Sequence, residues 1–290
     1  MPNATVDDAQ HLITHAINSV TSISTLPEVT ARIVKTVEDP NSSAQTLHKI
    51  VSHDPALVTR VLKVVNSSFY GLPGQVASIE RAIVMLGLNA VKNIAVAASL
   101  GQMFRGAKLC EGFTAKDLWT HCVAVACGAR DLAKQAKLPV ADEAFLAGMI
   151  HDVGLLVSLQ VWPEKLRLAC DQARVSGRRF IEIEREVLGV DHQQLGQALA
   201  EKWNFPRPCQ VVAGHHHDLA GAAEMSRAVV AVVAVADSLA ATSGLGFTLT
   251  RLHDPVDPAI ATAVGVTAEH IEATRLRLPE LLSAASALSA

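Results

Sequence analysis

Apolar residues recur at helical spacing along most of the chain, and this periodicity constrains the fold more than any other feature. Behind Asp54-Pro55, an N-cap residue followed by proline at the first helical position, apolar residues lie one turn apart at Leu57, Val61 and Val65. Long Val, Ile and Thr alternations bounded by hairpin turns are lacking. Since 50% of residues are apolar but only 4% aromatic, Ala, Val and Leu must fill the core. The pattern predicts an all-α, multi-helical protein.

Prolines, glycines and capping residues divide the pattern into helices. The segment 39–43 ends one helix and caps the next, and the loop 66–74 is either an interaction surface or a simple helix-ending turn. Residues 106–112 are the best candidate boundary between two packed helical subdomains, residues 1–108 and 109–290, which we expect to be joined near residues 104–114. A C-terminal helix is expected to pack back on the body. The main predicted helices span about 27–38, 55–65, 78–86, 89–103, 114–137, 142–160, 163–175, 180–187, 191–203, 207–217, 226–242 and 267–283.

Charge and cysteine content exclude several classes of protein. A net charge of −3 and scattered Lys and Arg give no footprint for nucleic acid or an anionic membrane. Five cysteines without Cys-x-x-Cys spacing argue against a disulfide framework or a Cys-rich zinc site. The N-terminus lacks signal-peptide character, and the most apolar stretch, 228–241, is too short to span a bilayer. We therefore expect a cytoplasmic protein without a nucleic-acid or membrane partner.

Histidines and aspartates interrupt several apolar helix faces. His121 lies on a face that should be buried, and His151 and Asp152 stand side by side in the apolar run FLAGMIHDVGLL. Asp237 carries the one charge of the segment 229–237. Burying a carboxylate costs several kcal/mol unless it is paired, hydrogen-bonded or bound to a cation. No basic residue lies near Asp237 in the sequence, so its partner comes from elsewhere in the fold or is a metal.

Five predicted helices thus each offer His or Asp to the core, and we expect these side chains to meet in one pocket. Imidazole with carboxylate suits zinc, iron or manganese, and a dinuclear site needs about this many ligands. The alternative is a buried His–Asp hydrogen-bond network with a structural role. If metal is present, Asp152 is expected to bridge or face it, and Asp152 is the candidate catalytic residue if the protein is active. The candidate metal ligands are His121, His151, Asp152, His192, His216, His217 and Asp237.

The order His121, His151-Asp152, Asp237 resembles the H…HD…D signature of HD-domain phosphohydrolases. That superfamily is helical, and its members use metal-bound water to attack phosphate esters. The resemblance therefore implies a divalent metal and, as one candidate activity, phosphoester hydrolysis.

Further residues are similar to ligands of the HD-GYP branch of that superfamily, which hydrolyses cyclic dinucleotides. His192 and the His216-His217 pair match its additional ligands, and Asp117 lies where the branch can carry another carboxylate. Asp117 is also the third residue after Thr114, so a capping-box role is the better interpretation of this acid.

Three segments of the first half are similar to the HDOD (HD-related output domain) family: LPEVTARIVKTVEDP, IVSHDPALVTRVLKVVNSSFYG and ASIERAIVMLGLNAVKNIAV. The match continues in DEAFLAGMIHDVGLLV, LGVDHQQLGQALAEKWNFP and HHHD and covers about residues 20–245. The resemblance implies an HD-domain-like fold and a bacterial signal-transduction role. We expect an unidentified signalling protein as partner, with a nucleotide as a candidate ligand.

Two departures from the active branch favour regulation over catalysis. Leu155 follows HDVG at the position where HD-GYP enzymes usually have a phosphate-binding Lys. After HHHD, the sequence LAGAAE stands in place of the GYP segment. Without such a cation, a transferring phosphoryl group loses charge stabilisation, unless Lys165 or Arg207 supplies it from another helix. The sequence thus predicts a regulatory output module with weak or no catalysis. The alternative is a metal-dependent phosphohydrolase or phosphodiesterase acting on a nucleotide or cyclic dinucleotide.

Overall fold

Capping side chains mark where several helices begin. The computed structural model describes residues 6–20, 26–37, 39, 41–104 and 108–288. Ser43, Asp54 and Ser78 each accept a hydrogen bond from the backbone N–H three residues on, which fixes the starts of three helices. The helices of the first half are α1 (Val6–Ser19), α2 (Glu28–Val37), α3 (Ala44–Val51), α4 (Pro55–Val65), α5 (Ile79–Leu86) and α6 (Leu88–Leu100).

The second half is built around its longest helix, α7. This helix is buried along most of its length and packs against α8, α14 and α16. The all-α prediction is therefore confirmed, together with the C-terminal helix that packs back on the body. The helices are α7 (Ala115–Gln135), α8 (Ala141–Ile150), α9 (Gly154–Val161), α10 (Pro163–Ser176), α11 (Phe180–Leu188), α12 (His192–Lys202), α13 (Arg207–His215), α14 (Arg227–Thr242), α15 (Pro258–Ala263) and α16 (Ala268–Ala284).

Two helices, α1 and the short α15, were not predicted from the sequence. α1 packs against α9 and α12 of the second half, and Lys202 Nζ donates to the Ile17 carbonyl at 2.9 Å. The predicted end of α2 at Glu38 lies outside the described residues, and the division into 1–108 and 109–290 stays a prediction.

A two-stranded ribbon leads into α7 at the predicted junction. Strands β1 (Lys108–Cys110) and β2 (Phe113–Thr114) pair antiparallel across a turn at Gly112, whose φ of +78° favours glycine. Thr114 then caps α7, accepting from the Asp117 N–H, while the Asp117 carboxylate accepts from the Thr114 N–H at 2.7 Å. The capping-box interpretation of Asp117 is confirmed. Residues 105–107 of the predicted junction lie outside the described residues.

The predicted helix 142–160 is wrong in one respect: it breaks at His151 and Asp152 into α8 and α9. Across the break, the N–H groups of Val153 and Leu155 bond to carbonyls only three residues back, so the chain tightens and turns. Gly154 allows the start of α12 to approach this turn closely, since a Cβ there would lie 1.9 Å from the His192 carbonyl oxygen. The turn therefore brings His151 and Asp152 to the start of α12.

The C-terminal segment connects the two halves. α16 packs on α7, and a 3-10 turn at Ser286–Leu288 contacts α4 and α6. Trp119 Nε1 donates to the Leu288 carbonyl at 2.8 Å, which fixes the segment beside α7.

Two helical stretches, Ala141–Val161 and Glu224–Thr242, are long and apolar enough to cross a membrane by length and composition alone. The second contains the stretch 228–241, so the expectation that it is too short does not hold. Most of both stretches is buried inside the protein, as it is in the core helices of soluble proteins, so they are weak evidence for a membrane span.

Candidate metal centre

The predicted site residues converge in the core of the second half. His121 lies on α7 and Asp237 on α14, while the other five occupy a turn or a helix end: His151 and Asp152 between α8 and α9, His192 at the first position of α12, and His216 and His217 just after α13. Six of the seven have no solvent exposure, and His217 is 8% exposed. The predicted convergence is confirmed; their role as ligands stays a prediction.

Three of these residues form the Asp237 group: His121, His151 and Asp237. Their ligand atoms lie within 4.8 Å of one another. His121 Nε2 is 3.0 Å from Asp237 Oδ1, and His151 Nε2 is 3.9 Å from the same oxygen.

The other four residues form the Asp152 group: Asp152, His192, His216 and His217, again with ligand atoms within 4.8 Å. Asp152 Oδ1 lies 3.4 Å from His192 Nε2 and 3.3 Å from His216 Nε2. Its Oδ2 lies 3.3 Å from His151 Nε2. The Asp152 carboxylate therefore stands between the two groups.

Hydrogen bonds at Nδ1 orient the rings. Carbonyl and carboxylate oxygens only accept, so these Nδ1 atoms carry hydrogen and the opposite nitrogens, Nε2, face the centre. Such bonds to the remote nitrogen are typical of metal-binding histidines. The acceptors are Gly148 O for His151 (2.8 Å), Glu184 Oε2 for His192 (2.5 Å), Val212 O for His216 (3.0 Å) and Asp254 Oδ2 for His217 (2.5 Å).

Several buried polar atoms of the centre have no hydrogen-bond partner. They are both oxygens of Asp152 and the Nε2 atoms of His151 and His217. An unsatisfied buried group costs about 1–3 kcal/mol, and more if it is charged. A cation among these lone pairs would supply the missing partner, and the donor set of imidazole and carboxylate fits zinc, iron or manganese. The two groups can therefore each be considered for a metal ion.

Arg251 is the partner of Asp237 that the sequence did not reveal. Its Nε donates to Asp237 Oδ2 at 2.6 Å, its Nη2 to the His216 carbonyl at 2.6 Å and its Nη1 to Asp254 Oδ2 at 3.2 Å. Arg251 ends a 3-10 turn, Leu249–Arg251, outside any periodic segment. The available signal was indirect: a charge on an apolar helix requires a partner from elsewhere in the fold.

The other cations considered from the sequence do not contribute. Lys165 and Arg207 are exposed, and Arg207 Nη1 donates to Gln210 Oε1 at 3.0 Å. Leu155 is fully buried. Arg179 is a further residue missed by the sequence, since its Nε donates to Asp254 Oδ1 at 2.7 Å beside His217.

Burial and neighbouring charges set the protonation of the rings. Burial lowers the pKa of His216 to about 4, and burial with Arg251 holds the pKa of His217 well below its usual range. Both rings are therefore neutral at pH 7, the form that binds metal. For His192, burial lowers the pKa, but the Glu184 carboxylate outweighs it and raises the pKa to about 9. Burial raises the pKa of Asp237, yet Arg251 outweighs it and keeps the residue ionised.

The helical fold and the H…HD…D arrangement together define an HD-type protein. The profile of the HDOD domain matches residues 23–219, and the chain belongs to this family. Asp237, Arg251 and Asp254 lie beyond the matched region, so they complete the centre from outside it.

Two solved structures have a similar fold, and one curated protein is similar in sequence. A solved HDOD domain protein of unknown function from Geobacter sulfurreducens covers 98% of this chain and 99% of its own, with a TM-score of 0.81 and 22% identity. A structure from Marinobacter aquaeolei VT8, provisionally named a signal transduction protein, covers 100% of this chain and 67% of its own, with a TM-score of 0.77 and 23% identity. An uncharacterized protein of Treponema pallidum (strain Nichols) is 28% identical over 75% of this chain. The chain spans 42% of that relative's length.

Proposed function

We propose that this HDOD protein is a regulatory module of signal transduction whose state depends on divalent metal in the buried centre, with weak or no turnover. The observation that carries the proposal is the state of the Asp152 carboxylate. It is fully buried among imidazole nitrogens, yet neither of its oxygens accepts a hydrogen bond. A purely structural His–Asp network would satisfy this group.

The surroundings of the centre favour regulation over catalysis. Six of its seven residues have no solvent exposure, so a phosphate ester has no open approach to them. Leu155 offers no charge, and the nearby Arg251 already binds Asp237 and Asp254. A bound ion would supply Lewis acidity and an activated water, but transfer of a phosphoryl group also needs oriented positive charge.

The first half is attached to the helices that carry the centre. The Arg130 guanidinium of α7 lies 5.0 Å from the Phe69 ring centroid and 4.5 Å from that of Tyr70. The Phe69 ring also packs on Phe145 of α8, with 5.9 Å between the ring centroids. Asn66 ends α4 and bonds to the backbone of Val76. The loop 66–74 is thus a helix-ending turn that also joins the halves. We propose it as the route by which the metal state reaches a protein partner.

A test of metal binding and activity uses the chain stripped with a chelator and reloaded with Mn²⁺ or Zn²⁺. We expect the wild type to bind metal and Asp152→Asn not to bind it. We also expect the wild type to hydrolyse a panel of phosphoesters no faster than the variant does. Absence of metal from the wild type would refute the proposal.

The second candidate is a metal-dependent phosphohydrolase acting on a nucleotide or cyclic dinucleotide. The complete set of seven convergent residues supports it. Turnover of a cyclic dinucleotide by the metal-loaded wild type, lost in both His151→Ala and Asp152→Ala, would replace the regulatory proposal with this one.

The proposed route is tested by hydrogen–deuterium exchange at residues 66–74. Metal is expected to slow exchange in the wild type but not in Arg130→Met, because that variant loses the contact between α7 and the loop. Arg81→Met, at an exposed position, is the matched control. Equal responses in all three proteins would exclude this route.

A further inference from the structure

The two groups of the centre differ in how their carboxylates are satisfied. Asp237 has a donor at each oxygen, His121 Nε2 at Oδ1 (3.0 Å) and Arg251 Nε at Oδ2 (2.6 Å). Asp152 has a donor at neither. The Asp237 carboxylate is therefore satisfied without a metal, whereas the Asp152 carboxylate is not, and the unpartnered Nε2 of His151 lies 3.3 Å from Asp152 Oδ2.

His121 also differs from the other rings. Its Nδ1 lies 3.2 Å from the Leu245 carbonyl and its Nε2 3.0 Å from Asp237, so it stands between two acceptors. The nitrogen in the shorter contact with the carboxylate carries a hydrogen. His121 thus acts as a donor to Asp237 and presents no lone pair to the centre.

From this asymmetry we infer that the centre binds one divalent ion, held by Asp152, His192, His216 and His217. The Arg251 guanidinium occupies the position beside Asp237 at which a second ion would otherwise bind. This inference rests on the proposed metal binding. It assigns Arg251 a role as the residue that determines how many ions the centre accepts.

Arg251 is difficult to displace from this place. Its side chain is 3% exposed and is fixed at three points, on Asp237, Asp254 and the His216 carbonyl. A second ion bound by Asp237 would face the guanidinium at short range and low dielectric, where like charges repel strongly. Removing Arg251 from its partners would leave a buried charge unpaired.

The Asp152 group offers the complementary environment. The Nε2 atoms of His192 and His216 lie 3.3 Å apart, and Asp152 Oδ1 lies within 3.4 Å of both. His217 adds an unpartnered Nε2. Three imidazoles and one carboxylate make a four-ligand set for a single ion, as in many mononuclear sites, with His192 releasing a proton when the ion binds.

The test is the number of ions per chain in the 290-residue protein, measured by elemental analysis after Mn²⁺ loading and by electron paramagnetic resonance. We expect one ion with the spectrum of isolated Mn²⁺ in the wild type. Arg251→Met is expected to bind two ions with a spin-coupled spectrum, since it frees Asp237. Arg277→Met is the matched control, because it removes an exposed arginine of α16 that pairs with Asp131 of α7. This variant should still bind one ion.

A second pair of variants keeps the inference testable if Arg251→Met does not fold. His121→Gln retains a donor for Asp237 and should change Mn²⁺ affinity by less than about threefold, whereas His192→Gln should weaken it by about tenfold or more. Equal losses in both variants would overturn the inference. Two ions in the wild type would also overturn it while leaving the proposed metal-dependent function intact. A wild type without metal would refute the proposed function itself.

Discussion

Lys92 in the first half and Asp152 in the second are both buried charged residues, yet their surroundings are opposite. Lys92 is 2% exposed, and its ammonium donates to the Thr36 carbonyl at the end of α2 and to the Ser42 hydroxyl. Asp152 is fully buried and has no donor. Burial of a charge therefore does not by itself indicate a functional site. The informative feature is a buried charge whose hydrogen-bonding capacity the protein leaves unused.

Asp152→Asn should produce the largest effect. Without metal, the variant should unfold with a free energy about 1–3 kcal/mol lower than that of the wild type, because the charge of His151 outweighs burial and holds the pKa of Asp152 well below its usual range. With metal at a hundredfold excess over its dissociation constant, the wild type should gain about 2.7 kcal/mol and the variant nothing, so the difference widens. Denaturant unfolding of both proteins with and without Mn²⁺ measures this change. A variant that gains as much stability from Mn²⁺ as the wild type would show that Asp152 is not a ligand.

Lys92→Met should lower the free energy of unfolding by about 2 kcal/mol, equally with and without metal, because the Thr36 carbonyl loses its donor. The same denaturant experiment applies. Lys63→Met, at an exposed position of α4, should change stability by less than about 0.5 kcal/mol. If the effect of Lys92→Met on stability depended on metal, burial of Lys92 would be coupled to the metal centre, and the contrast between Lys92 and Asp152 would fail.

Asp117→Ala should have the smallest effect, a loss of about 0.5–1 kcal/mol from the capping box of α7. Metal affinity should stay unchanged, since the carboxylate is bound to Thr114. Titration of Mn²⁺ into the variant checks this. A tenfold weaker affinity would identify Asp117 as a ligand.

Sequence reasoning succeeded where the cause was local. The positions of His121 and Asp237 on apolar helix faces are sufficient to place both in the core, because the helical repeat fixes which residues share a face. The cap at Asp117 follows equally from its distance to Thr114.

Features that depend on tertiary packing were not predictable. The break at His151 lies where α12 approaches Gly154, and the continuous apolar pattern of the run FLAGMIHDVGLL does not reveal it. Arg251 comes from a short turn without periodicity, and Glu184 is on a helix where most acids are exposed. A sequence pattern indicates that a buried charge needs a partner, but only the fold selects it.

The placement of α1 and of the turn at Ser286–Leu288 has a consequence for the order of folding. α1 reaches the second half through a bond between residues 185 apart in sequence, and the turn at Ser286–Leu288 is fixed through one between residues 169 apart. Such distant contacts close large loops and slow folding. During synthesis, the first half cannot acquire its packing against Ser286–Leu288 until that segment has left the ribosome. The nascent first half therefore exposes parts of α4 and α6 throughout translation, which makes it a candidate for chaperone binding.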